Sequence, residues 1–258
     1  FAASGIAADG IDGREWMRPD PPEVLTQRVA TRIGAAHPKA PTLTEALSED
    51  LWIDYLADSG EHAGVTEALA RVVAREAWVP DPEGGEGLAP RGQLLIFGGD
   101  TAYPVATARE IHDRVVVPFN KALYEVGEHG EARALLGIPG NHDWYDGLDG
   151  FSRLFRHKRF DEDDAIAPGT VRSADTSIGR AAELVKNIVA GESRDKADAL
   201  VLHGYRAMQS ASYWVLPIAP GILLVGADRQ LRKVDPQQRR FIRHAREAAE
   251  DQGGAKVW

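Results

Sequence analysis

Apolar and polar positions along this chain fall into a repeating unit: a short apolar run, a tight turn rich in Gly and Asp, then apolar residues three or four apart. The first run, Leu51-Trp-Ile-Asp-Tyr-Leu-Ala57, stops at Asp58-Ser59-Gly60, and Val65, Leu69, Val72 and Val73 follow at helical spacing. The second, Leu94-Leu-Ile-Phe97, stops at Gly98-Gly99-Asp100. Thr107-Ala-Arg-Glu110 then has the form of a capping box, and Ile111, Val115, Phe119 and Leu123 at steps of four predict a helix bent at Pro118. The third, Ala134-Leu-Leu-Gly-Ile138, stops at Pro139-Gly140-Asn141-His142-Asp143, ahead of Leu148, Phe151, Leu154 and Phe155. Strand, loop and helix repeated in this way predict an α/β fold with a largely parallel sheet, in which ligand sites form beyond the carboxyl ends of the strands.

Outside these units the pattern is weaker. Residues 1–45 show no sustained period and predict an N-terminal arm with one short helix at Pro22–Arg32, leaving 46–258 as the domain. Residues 80–92 are a charged connector rich in Gly and Pro, and residues 161–199 predict helix and loop along one edge. Residues 208–227 carry no charge, but Pro217, Pro220 and Gly221 make this a pair of strands rather than a membrane span, at Ser212–Leu216 and Ile222–Ala227. A helix follows Asp235-Pro236, and Ala255-Lys-Val-Trp258 reads as the start of a further strand. With no transmembrane segment expected, the default location is the cytoplasm.

Of the 258 residues 43% are hydrophobic and 27% charged, a balance that predicts a packed fold rather than disorder. A net charge of -9 provides no broad positive field, so binding to a nucleic-acid backbone is not expected. The basic stretch from Arg229 to Arg246 reads as the solvated face of an amphipathic helix whose other side carries Phe241, Ile242, Ala245, Ala248 and Ala249. There is no cysteine, which excludes disulfides, zinc–thiolate sites and thiol nucleophiles. Any metal would be held by oxygen and imidazole.

The three turns supply such groups: carboxylates at Asp58 and Asp100, then an amide, an imidazole and a carboxylate at Asn141, His142 and Asp143. These are ligands for magnesium, manganese, iron and zinc, and glycines at 60, 98, 99 and 140 let the backbone turn sharply enough to bring short side chains to an ion. Asp-Ser-Gly and Gly-Gly-Asp are common turn sequences; Gly140-Asn141-His142-Asp143 is far more specific. It resembles the Gly-Asn-His-Asp/Glu motif of the calcineurin-like metallophosphoesterases. Gly99-Asp100 matches that family's upstream Gly-Asp, and Asp58-Ser59-Gly60 stands where the family has Asp-x-His or Asp-x-Gly.

The resemblance spans roughly residues 51–249 and implies an α-β-β-α sandwich with mixed, largely parallel sheets, two divalent or trivalent metal ions (Mn, Fe, Zn or Mg), and hydrolysis of a phosphate mono- or diester. By its implication Asp58 binds the first metal, Asp100 bridges both and Asn141 binds the second. His142 faces the phosphate, and Asp143 orients its imidazole. Gly60 replaces a histidine that many relatives give to the first metal. Gly99-Asp100-Thr-Ala-Tyr103 resembles the Gly-Asp-x-x-Tyr element of the purple acid phosphatases, whose tyrosine phenolate takes that place, so Tyr103 is a candidate ligand, against simple packing beside Pro104. His62 is a weaker substitute.

The family's C-terminal histidine motifs are absent. His203 and His244 do not fit them, and the strand beginning at residue 255 leads to the expectation that the remaining ligands lie beyond Trp258. The alternative is a binding or scaffold protein of the same fold without catalysis. An all-helical phosphohydrolase built on His112-Asp113 and His142-Asp143 conflicts with the strand runs, and no Gly-x-Ser-x-Gly elbow or phosphate-cradling Gly-x-x-x-x-Gly-Lys loop is present. Trp144 and Tyr145 either pack behind the motif or stack on an aromatic substrate.

Overall fold

The computed structural model describes residues 18–80, 84–127, 132–157, 200–229 and 234–250, and the backbone of 256–257. The four strands β1 (Ile53–Leu56), β4 (Leu94–Phe97), β5 (Arg133–Gly137) and β6 (Tyr205–Ala207) form a parallel sheet in the order β1-β4-β5-β6. The central strands β4 and β5 are buried along their whole length, which is why each reads as an unbroken apolar run rather than an alternation. Side chains of one strand nevertheless go to opposite faces. Leu95, Phe97 and Leu135 join one core with Ile111, Phe119, Phe151 and Phe155, while Leu94, Ile96, Ala134 and Leu136 join another with Leu25, Val29, Leu43, Trp214 and Leu216.

The first face is covered by α3 (Ala63–Val73), α4 (Ala108–Glu125) and α6 (Asp149–Phe155). Helix α4 runs from Ala108 to Glu125 with a π-type turn at His112–Val116, just before Pro118. Thr107 caps it as the sequence predicts, accepting the Glu110 N–H at 3.2 Å. In α3 the buried residues are Thr66 and Ala70, Val73 packs half-buried against the core, and Val65 and Val72 are exposed.

The opposite face meets α1 (Pro22–Arg32), α2 (Leu43–Leu47) and the strands β7 (Trp214–Ala219) and β8 (Ile222–Gly226). β7 and β8 pair antiparallel, and β9 (Lys256–Val257) adds parallel to β8. The expected helix at 22–32 is present, but an arm is the wrong description for residues 22–47: Leu25, Val29, Ala30, Leu43 and Ala46 are buried in the second core. Arg28 binds both Asp20 and the Met208 carbonyl, and Ser210 donates to Asp20, fixing this layer to the chain that leaves β6.

Two elements fall outside the predicted pattern. The connector after α3 contains an antiparallel hairpin, β2 (Ala77–Pro80) with β3 (Glu86–Ala89), every residue of β2 being exposed. β6 is only three residues long. Residues 1–17 and the predicted helix and loop of 161–199 lie outside the described residues. The closing helix α7 (Pro236–Glu250) buries Gln238 and sets Phe241 edge-on to Tyr213. Among the described residues no helix is long and apolar enough to cross a membrane.

Candidate metal centre

The carboxyl ends of β1, β4 and β5 lead directly into the three turns carrying Asp58, Asp100 and Asn141. Asp58 and Asp100 both adopt left-handed backbone, at φ 54° and 49°, a conformation that Asp tolerates better than most residues. The turns interlock through the backbone. Asp58 N–H donates to the Gly99 carbonyl at 3.2 Å and His142 N–H to Asp100 Oδ1 at 2.9 Å. Thr66, buried on α3, secures the first turn by donating to the Ser59 carbonyl at 2.6 Å.

Two glycines make this approach possible. A Cβ on Gly60 would lie 2.0 Å from the Thr101 carbonyl oxygen, and one on Gly140 would lie 2.0 Å from Asp100 Oδ1. A histidine at position 60 therefore requires the first two turns to move apart, which accounts for glycine there.

Tyr103 links the first two carboxylates. Its hydroxyl lies 2.6 Å from Asp58 Oδ1 and 3.2 Å from Asp100 Oδ2, in reach of both acceptors with a single proton to donate. Burial, followed by the bond to Asp58 and the charge of Asp100, pushes this phenol well above its ordinary value. Among the described residues neither Asp58 nor Asp100 has a Lys or Arg partner. Tyr103 thus does more than pack beside Pro104.

On the third turn, α5 (Asn141–Trp144) carries the remaining groups. Asn141 is exposed, and its Nδ2 donates to Tyr145 Oη at 3.1 Å. The His142 ring contacts two tyrosines, 4.2 Å from Tyr103 and 5.1 Å from Tyr145 by ring centroids, and its Nδ1 is 2.6 Å from the Pro104 carbonyl oxygen.

Asp143 does not orient that ring. Fully buried, it reaches back three residues to accept the Gly140 N–H at 2.8 Å, and it accepts the Thr101 N–H at 3.3 Å. Burial pushes its carboxyl up to about 6, against these donors and with the Asp100 charge adding to the rise. Asp143 is a clamp between the second and third turns, and the group that orients His142 is the Pro104 carbonyl.

The remaining candidates lie elsewhere. His62 caps α3 by accepting the Gly64 N–H, His203 N–H donates to Asn120, His112 pairs with its neighbour Asp113, and His244 is exposed on α7. Trp144 is buried and donates to Asp228, so it packs, whereas Tyr145 is 39% exposed beside His142. The link from Asn141 to Tyr145 was legible as a spacing of four, the separation that brings side chains together on a helical turn.

No protein-family model, curated protein or solved structure gives a significant match to this chain. The donor set must therefore be judged on its chemistry. No group of three or more His, Asp or Glu side chains disposed to hold a metal is found among the described residues. The set here is two carboxylates, a phenol and an amide, all oxygen donors suited to hard cations, and among the described residues its carboxylates lack Lys or Arg partners. On those grounds the residues fit a cation, with fewer imidazoles than zinc favours.

Proposed function

We propose that the chain is a metal-dependent hydrolase of phosphate mono- or diesters, with the α-β-β-α sandwich of the calcineurin-like metallophosphoesterases and its site at the carboxyl ends of the strands. One observation carries the reading: Asp58 and Asp100, without a Lys or Arg partner among the described residues, share a single phenolic proton beside the turn that bears Asn141 and His142. Asp58, Tyr103 and Asp100 would hold one cation, and Asp100 with Asn141 a second. When bound, the pair of ions would clamp the phosphate and lower the pKa of a water until it attacks at neutral pH.

The chain's own groups then have separate tasks. His142 engages the Pro104 carbonyl through Nδ1, so that nitrogen carries the N–H and Nε2 is the one available to exchange a proton with the ester. The rings of Tyr103 and Tyr145 limit its rotation. Asp143 keeps the second and third turns together through backbone donors. Tyr103 must release its proton to act as a ligand, so cation uptake at that position strengthens as pH rises.

The manganese-loaded chain is expected to hydrolyse p-nitrophenyl phosphate or its bis-ester, and His142→Ala to lower turnover by at least ~100-fold while leaving the folded state intact. Bound manganese with no turnover of either ester would favour the binding or scaffold role.

A further inference from the structure

We propose that Tyr145 is a positioning residue of the candidate metal centre, holding the Asn141 amide so that its carbonyl oxygen is the end offered to a cation; the inference rests on the metal-dependent reading above. A carboxamide has two unlike ends, an NH2 group that only donates and a carbonyl that only accepts. A hard cation takes the carbonyl. The end presented is therefore a matter of what holds the other one.

Tyr145 supplies that hold. It follows Asn141 by four residues at the end of α5, and its Oη accepts from Asn141 Nδ2 at 3.1 Å. With the NH2 end engaged there, the carbonyl oxygen is left without a protein partner among the described residues. The same ring lies edge-on to His142, 5.1 Å between centroids at 71°, while the tilted Tyr103 ring also contacts that imidazole. One side chain thus contacts both functional groups of the third turn.

Core packing does not explain this placement. Trp144, the preceding residue, is 4% exposed and bonded to buried Asp228, whereas Tyr145 is 39% exposed, with its hydroxyl on Asn141 and its ring against His142. Side chains that orient metal ligands without touching the metal typically change affinity 10- to 100-fold when removed.

The test is calorimetric titration of the chain with MnCl2, comparing wild type with Tyr145→Phe, Tyr145→Leu and Asn141→Ala. Tyr145→Phe keeps the ring against His142 and loses the hydroxyl; it is expected to weaken the weaker manganese site about tenfold with an unchanged melting temperature. Tyr145→Leu loses the ring as well and should in addition lower kcat for p-nitrophenyl phosphate at saturating manganese. In the metal-free protein, the Asn141 side-chain NH2 resonances should move in Tyr145→Phe. Manganese affinity unchanged in Tyr145→Phe but reduced in Asn141→Ala would overturn the role of Tyr145 and leave the metal reading standing. Wild type that binds no manganese would overturn both.

Discussion

At the amino end of the parallel sheet Asp54 lies with Arg91, Arg133 and Tyr205, whereas at the carboxyl end Asp58 and Asp100 share the Tyr103 phenol and, among the described residues, have no Lys or Arg partner. Asp54 accepts the Gly92 N–H, Arg133 donates to the Arg91 and Gly92 carbonyls, and Arg91 donates to Tyr205 Oη. Burial raises the Asp54 carboxyl above its ordinary value while the two guanidiniums oppose the rise. Fixed cations at one end hold the sheet together. Among the described residues no such cation faces Asp58 and Asp100, which leaves carboxylates that the proposed mobile cation would satisfy.

The contrast is open to direct tests. Arg133→Ala should have the largest effect on folding, costing about 3–5 kcal/mol in urea unfolding because it removes the buried donor to the Arg91 and Gly92 carbonyls and one of the two guanidiniums near Asp54, with manganese affinity preserved in the folded fraction. Equal losses of affinity and stability would mean that the two ends are not separable.

Asp20, another compensated carboxylate, gives a pH signature. Burial pushes its carboxyl up, but Arg28 and Ser210 more than offset this and hold it below its ordinary value of 3.8. A depressed carboxyl contributes stability above the unfolded pKa and loses it as pH falls through the folded one. Asp20→Asn should therefore cost about 1–3 kcal/mol at pH 7, with the gap from wild type narrowing below pH 3.8. A constant gap down to strong acid would remove the ion pair from the account.

Tyr103→Phe should have the smallest effect on metal-free stability, about 1 kcal/mol or less, because it relieves crowding between two carboxylates and an uncharged phenol while losing one bond. Its consequence should be spectroscopic. An iron(III)-loaded wild type should show a phenolate-to-metal absorption band that the variant lacks, and a band surviving the substitution would place Tyr103 outside the ligand set.

The strands that lead into the site were legible because the buried β4 and the Ala134–Leu136 stretch of β5 read as apolar runs, and because glycine-bearing turns follow them. The hairpin β2–β3 was not, since exposed strands need no apolar pattern, and Tyr205-Arg-Ala is too short to show any. The packing of residues 22–47 was hidden because its partners, Trp214 and Leu216, are nearly two hundred residues away in sequence. Within the site, the residue types marked the three turns. The direction of Asp143 depends on how the third turn folds back on Gly140, and the partner of His142 is a backbone carbonyl, which no side-chain motif can reveal.

The most direct measurement of the central claim is anomalous scattering from crystals of the chain soaked in manganese. One peak is expected within bonding distance of Asp58 and Asp100 and a second beside Asp100 and Asn141. Manganese bound elsewhere on the chain, with no peak at these three side chains, would contradict it.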